Sequence, residues 1–401
     1  MTPPGHGPDE HPKSDPMTPR SRPDPAARRA VTVVFVLNGA LVASWIVRIP
    51  ATQTRLEIGE GTLGVVLMGL AVGVLLALPL AGGLVARIGS RRVTAVGAAI
   101  GLSALPLTAL APTPWVLAGC LMALGAGTAT MDVGMNAQGI GVEAGYGRSI
   151  LVSMHAAWSL GALLAATAGA VTTAVGVVGI VHLGVVSALV AASTASCLPW
   201  LRVADRQSGE ALQQAPRFAL PRGALVPIAV VAVGSSWGES TASDWSGIFM
   251  RDSVGVPAEL APWGFVTLMA AMTVARLLGD RVTDRIGAGG TVAWGGRLAA
   301  AGFLLLALVP GVPSAVIGFL AVGIGVASIT PLAFAAAGRT ASSAGAGMAA
   351  VASVGYAGFL LAPPLVGTVA ELVDLRLALG GVGLLVLACT QRPRGFDPAR
   401  T

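Results

Sequence analysis

Asp132 is the only acidic residue between Arg92 and Glu143, and it lies in a long apolar run. An ionisable side chain at the centre of a bilayer costs about 2.5–3.5 kcal/mol on insertion scales, so such a residue needs a reason to be there. Asn136, four residues on, shares a helix face with Asp132. The chemistry this suggests is proton uptake and release, with burial favouring the neutral acid. His155 lies as far after the turn centred near residues 143–144 as Asp132 lies before it. A tight helix hairpin would put the two at one depth as an Asp–His pair; the alternative for His155 is a helix-packing role. Glu239 is the second candidate for proton coupling. It stands near Asp244 with Trp237 and Trp245 alongside. Indoles stack on a sugar-like face while carboxylates accept hydroxyl protons, so this group suits a small polar solute. Trp245 could equally be an interfacial anchor. Asn38, Trp45, Asn136, Trp158 and Tyr356 complete the expected solute-binding set.

The elements that must hold these residues follow from composition. The chain has 401 residues, 54% hydrophobic and only 11% charged. Its mean hydropathy is +0.77. An average soluble domain carries about 25% charge, and a disordered chain needs low hydrophobicity. A polytopic α-helical membrane protein is the class that fits. The net charge of +6 does not indicate nucleic acid, because the arginines are scattered in ones to threes between apolar runs, as topology signals are. Cys120, Cys197 and Cys389 are far apart, with no metal-ligand spacing. No cofactor or metal is expected.

Twelve spans are expected, at about 20 apolar residues per crossing. They fall near 30–49, 62–85, 93–110, 115–139, two between 149 and 200, then 223–250, 261–281, 291–309, 314–337, 346–369 and 374–390. The domain layout is a disordered tail over 1–27, a six-helix half over 28–200, a polar loop over 201–222, a second half over 223–391 and a tail over 392–401. Arginines concentrate on the side that holds both termini, which the positive-inside rule assigns to the cytoplasm. The expected location is the cytoplasmic membrane, as a monomer. Arg48, at the outer end of span 1, is expected to snorkel.

The halves repeat. Arg87-Ile88-Gly89 recurs 198 residues later as Arg285-Ile286-Gly287, and Gly125-x-Gly127 recurs as Gly323-x-Gly325. One offset serving several spans indicates two parallel six-helix repeats. The segment Gly82-Gly-Leu-Val-Ala86-Arg87-Ile-Gly89-Ser-Arg91-Arg92 resembles the signature of the major facilitator superfamily, with Ala86 where that family has Asp. The second copy keeps Asp284-Arg285-Ile-Gly287 and has Asp280 in place of Gly. Within the superfamily, Ala43-Ser-Trp45-Ile-Val-Arg48-Ile-Pro50, Met131-Asp132-Val-Gly-Met-Asn136, Met154-His155-Ala-Ala-Trp158 and Val354-Gly-Tyr356 resemble MosC-like proteins, distant relatives of the fucose permease type.

The resemblance implies an all-α fold of twelve transmembrane helices in two pseudo-symmetric halves, and proton-coupled symport with a carboxylate in span 4, where Asp132 lies. The expected partners are protons, a small-molecule solute and the bilayer. Arg87, Arg91, Arg276, Asp280, Asp284 and Arg285, with Arg297 beside them, are expected to form a cytoplasmic gate, Arg276 and Asp280 being spaced for an i,i+4 pair. Efflux by proton antiport is the alternative direction. Span 5 lacks the Gly-Pro-x-x-Gly motif of many drug antiporters. A non-transporting sensor is a remoter alternative. An enzyme is not expected, since no Ser/His/Asp or metal-ligand spacing appears.

Overall fold

The computed structural model describes residues 23–146, 150–201, 220–341, 344–393 and 395–397. Those residues are helical throughout apart from turns and short connections, and they form twelve membrane-spanning segments in two halves. Span 1 is Pro25–Ile46, continued after a break at Val47-Arg48 by the short helix Ile49–Leu56. Spans 2 to 6 are Glu60–Ile88, Ser90–Leu110, Pro114–Glu143, Leu151–Ala174 and Gly179–Cys197. Span 7 is Leu225–Ile248. Spans 8 and 9 are 263–286 and 288–308, which run on as Trp263–Leu308 around a single non-helical residue, Gly287, with φ 78°. Span 10 is Val312–Val326 followed by Ile329–Thr340, span 11 is Ala344–Leu372 and span 12 is Leu375–Thr390. Among the described residues, nine stretches qualify as membrane-crossing by length and apolarity alone. One of them, Ala258–Leu308, holds two spans. Span 12 is shorter, and span 7 carries Glu239 and Asp244.

Most expected boundaries hold within a few residues. The first helix starts at Pro25, capped by Asp24, whose carboxylate accepts from the Ala26 and Ala27 amides at 3.1 and 3.0 Å. An N-cap oxygen satisfies amides that a helix leaves open, which explains a start five residues before Ala30. The tail before it and the central loop fall largely on 1–22 and 202–219, outside the described residues. Of the last segment, Phe396 is fully buried in a cluster with Ile228, Ala336 and Val351. Asp397 accepts from the Gly289 amide at 3.1 Å, and Arg339 donates to the Phe396 carbonyl at 3.0 Å. Residues 396 and 397 are thus docked on the second half, with Asp397 capping the start of span 9.

The 198-residue repeat has a packing cause. A side chain on Gly125 would overlap the Leu70 carbonyl, and one on Gly323 would meet the Leu268 carbonyl. Gly127 lies against Gly97 and Gly101, and Gly325 against Gly295 and Ala299. Each contact in the first half has its counterpart 198 residues on. Bare backbones let helices approach closely, which drives packing where the hydrophobic effect between helices is weak. The turns repeat too, with Gly89 at φ 83° and Gly287 at φ 78°, a region that glycine enters without strain. Within each half the neighbours are not always the sequence neighbours. Span 1 packs mainly on span 5, and span 4 on spans 2 and 3, while spans 4 and 5 scarcely touch.

Gly125→Val and Gly323→Val are each expected to lower the melting temperature of the purified protein in detergent. Gly119→Ala, at a position with nothing near the added carbon, leaves it unchanged. Equal melting curves for all three would contradict the backbone-contact account.

Candidate functional site

Near the middle of the bundle, side chains from both halves converge. Arg276 of span 8 donates from Nη1 to the Ser159 hydroxyl of span 5 at 2.9 Å and from Nη2 to Glu239 of span 7 at 3.3 Å. It also donates from Nε to the Ala327 carbonyl at the break in span 10, at 3.4 Å. Thr273, nearly a turn away, donates to the Ser159 carbonyl at 3.5 Å. The Arg276–Glu239 ion pair therefore lies against the first half, and a half-buried arginine is made tolerable by three acceptors. His155 is within electrostatic range of Arg276 and packs edge-on against Phe35, with ring centroids 5.0 Å apart.

Asp132 stands apart from that cluster. Its carboxylate accepts from Asn136 Nδ2 at 3.2 Å, and the same amide nitrogen donates to the Asp132 carbonyl at 2.9 Å. No described cation pairs with it. Tyr356, near the middle of span 11 in the other half, lies within electrostatic range. Asp244 is likewise held only by its own helix, accepting from Ser240 at 3.1 Å.

The other expected residues divide by what they touch. Asn38 donates to the Thr128 carbonyl at 3.0 Å and accepts from Trp158 Nε1 at 2.9 Å, so its amide ties spans 1, 4 and 5 together. Trp45 and Trp245 are fully buried. Trp245 lies under Gly367 of span 11. Trp237 and Tyr356 are half-buried, Trp237 against Gly358.

Three expectations need correction. Asp132 and His155 do not form a pair among the described residues, because spans 4 and 5 are not packed as a hairpin. Arg276 does not pair with Asp280, since its guanidinium turns inward to Glu239 and Ser159. The remaining gate residues are not joined either. Arg87, Asp280, Asp284 and Arg285 are exposed, Arg91 is half-buried, and none forms an ion pair among the described residues. Arg297 donates to Gln391 at 2.7 Å and stacks on Trp294.

The gate is apart because the halves meet elsewhere. Among the described residues, the hydrogen bonds seen between them lie at mid-depth, at Ser159, or at the end of the bundle opposite the termini. There Glu371 accepts from the Gly61 amide at 2.8 Å, and Arg251 donates to residues of the helix Ile49–Leu56. Pro363 covers Gly64, and Gly247 abuts Pro50. Among the described residues, the contacts that close the bundle lie at that far end.

Sequence reasoning missed Arg48. Rather than snorkelling it is buried, donating to His182 Nδ1 at 3.0 Å, the Val177 carbonyl at 3.0 Å and Thr172 at 3.2 Å. A cation with three neutral acceptors fixes the break after span 1 to the turn between spans 5 and 6. The signal was an arginine two residues before Pro50, where a helix has to be interrupted.

The sequence matches the profile of the Major Facilitator Superfamily over residues 31–363. The chain belongs to that superfamily. It is 35% identical over 361 residues to the uncharacterized transporter y4wD of Sinorhizobium fredii, covering 89% of this chain and 94% of that protein. It is 30% identical to the membrane protein MosC of Rhizobium meliloti, covering 87% of this chain and 85% of MosC. Among solved structures, the nucleoside transporter NupG aligns with a TM-score of 0.69 at 16% identity, over 91% of this chain and 97% of that one. A bacterial homologue of the lysosomal transporter Spinster, solved inward-facing and unoccupied, aligns with a TM-score of 0.73 at 12% identity, over 94% and 100%. At those identities the structural likeness concerns the fold alone. This facilitator is a multi-pass membrane transporter, and its twelve spans and two halves are those of the superfamily.

Asn38→Leu strands the Trp158 indole N–H and the Thr128 carbonyl. A buried unsatisfied group costs about 1–3 kcal/mol. The variant is expected to melt several degrees lower in detergent with no solute present; an unchanged melting curve would remove Asn38 from this structural role.

Proposed function

We propose that this protein is a proton-coupled secondary carrier of a small polar solute, sugar- or polyol-like, working by alternating access in the cytoplasmic membrane with both termini inside. The observation that carries the reading is Asp132: a carboxylate near the middle of a membrane span whose hydrogen-bond partner is Asn136 on its own helix. Such an acid is tolerated when it can take up and release a proton as water reaches it. Glu239 differs, because Arg276 already compensates its charge. Its protonation would free Arg276 from one of its partners, which suits a part in coupling the halves. The solute lies between the halves, where transporters of this architecture bind at mid-depth. Tyr356, Asn136 and Trp237 offer a phenol, an amide and an indole from opposite sides, the mixture that holds a hydroxylated ring. Sodium is the less suitable ion, since no cage of unwound carbonyls is seen at the centre among the described residues. The carrier acts as a monomer, and uptake is favoured over efflux because span 5 runs without proline from Leu151 to Ala174.

Melting-temperature shifts across a panel of monosaccharides and polyols identify a working solute. In proteoliposomes loaded with it, Asp132→Asn is expected to keep exchange near wild-type rates and to lose accumulation driven by an imposed pH gradient. Full accumulation by that variant would dismiss Asp132 as the proton site.

A further inference from the structure

Arg251 lies at the far end of span 7, in a single π-helical turn, Phe249–Ser253. A guanidinium has five N–H donors, and here every one is engaged. Nε and Nη2 donate to the two carboxylate oxygens of Asp252 at 2.6 and 2.7 Å. The second Nη2 donor reaches Gln53 Oε1 at 2.7 Å, and Nη1 reaches the Pro50 carbonyl at 2.9 Å and Thr54 Oγ1 at 2.8 Å. The last three acceptors belong to the other half of the molecule. The bidentate pair with Asp252 fixes the plane of the guanidinium, so its remaining edge is aimed at the short helix Ile49–Leu56. π-turns of this kind recur at functional positions because they redirect side chains.

We propose that Arg251, oriented by Asp252, is the latch that holds the far end shut. All three bonds to Pro50, Gln53 and Thr54 must break when spans 1 and 7 part. The tie between Glu371 and the Gly61 amide, joining spans 11 and 2, is a weaker second closure beside it. The latch is one-sided, since at the other end Arg87, Asp280, Asp284 and Arg285 stand exposed and form no ion pair among the described residues. With the far end closed the carrier rests open toward its termini, and the latch sets how often it turns over. This rests on the alternating-access reading above. Water reaches the latch through a cleft rimmed by Glu57 and Glu60, so separation exchanges its bonds for hydration instead of stranding a bare charge.

The test uses the full chain in lipid nanodiscs, with its three native cysteines replaced and spin labels on two cysteine pairs. Ala51 with Glu259 spans the far end, and Arg87 with Arg285 spans the other. Double electron–electron resonance reads the distances. Arg251→Ala is expected to raise the ratio of long to short far-end distances by about tenfold, the equivalent of one charge-assisted hydrogen bond. Arg251→Lys, which cannot bridge both sides at once, is expected to fall between. If Arg251→Ala does not fold, the double variant Gln53→Ala, Thr54→Val removes two of the acceptors while leaving Arg251 and Asp252 in place, and the same shift is expected. Far-end distances unchanged in the variant that folds would overturn the latch. A far end that opens without the opposite end closing would support the latch and count against alternating access, which separates the two failures.

Discussion

A polar group inside the hydrocarbon layer must find a partner within the protein, and this constraint organises the whole molecule. Each unsatisfied group costs several kcal/mol. Arg48 meets it with His182, Val177 and Thr172, and Asn38 with Thr128 and Trp158. Arg276 meets it with Glu239, Ser159 and Ala327. These clusters are where spans are stapled together. Against that background, Asp132 and Asp244 stand out as acids with only a neutral neighbour one turn away on their own helices.

The two halves share a backbone plan and divide the chemistry between them. Their glycine contacts repeat at one offset because close helix packing is a backbone property that any side chain would spoil. The polar devices do not repeat. Gln138 donates to Ser90 at 2.7 Å beside the first-half turn, whereas Asp397, from the end of the chain, caps the corresponding turn in the second half. Arg276 spans the junction from the second half, and Asp132 answers from the first with no cationic partner among the described residues. A carrier that moves one half against the other has use for such asymmetry. On the proposed alternating-access reading, an equal scaffold on both sides lets the halves rock, and differing charged groups let motion in one be felt by the other.

The closure at the far end follows the same logic. Bonds at the ends of spans are reached by water, so making and breaking them costs far less than rearranging a buried pair. Ties at the ends can open and close, while those at mid-depth, around Ser159 and Arg276, can serve as the pivot.

The sequence alone determined the twelve spans, the six-plus-six repeat and the presence of Asp132 and Glu239 inside spans. Apolar run length and a fixed offset are local properties, set by bilayer thickness and by glycine contacts that recur along the chain. Only the tertiary structure decided which spans touch. The hairpin assumption failed for Asp132 and His155 because span 5 leaves span 4 to pack on span 1. The spacing of Arg276 and Asp280 failed because a cation in the membrane turns toward the most buried acceptors it can reach, not toward the nearest acid in sequence. Arg251 makes its cross-half contacts from a single π-turn. Partner choice among side chains depends on which helices are adjacent, and in a bundle whose neighbours are not consecutive that information is not written along the chain.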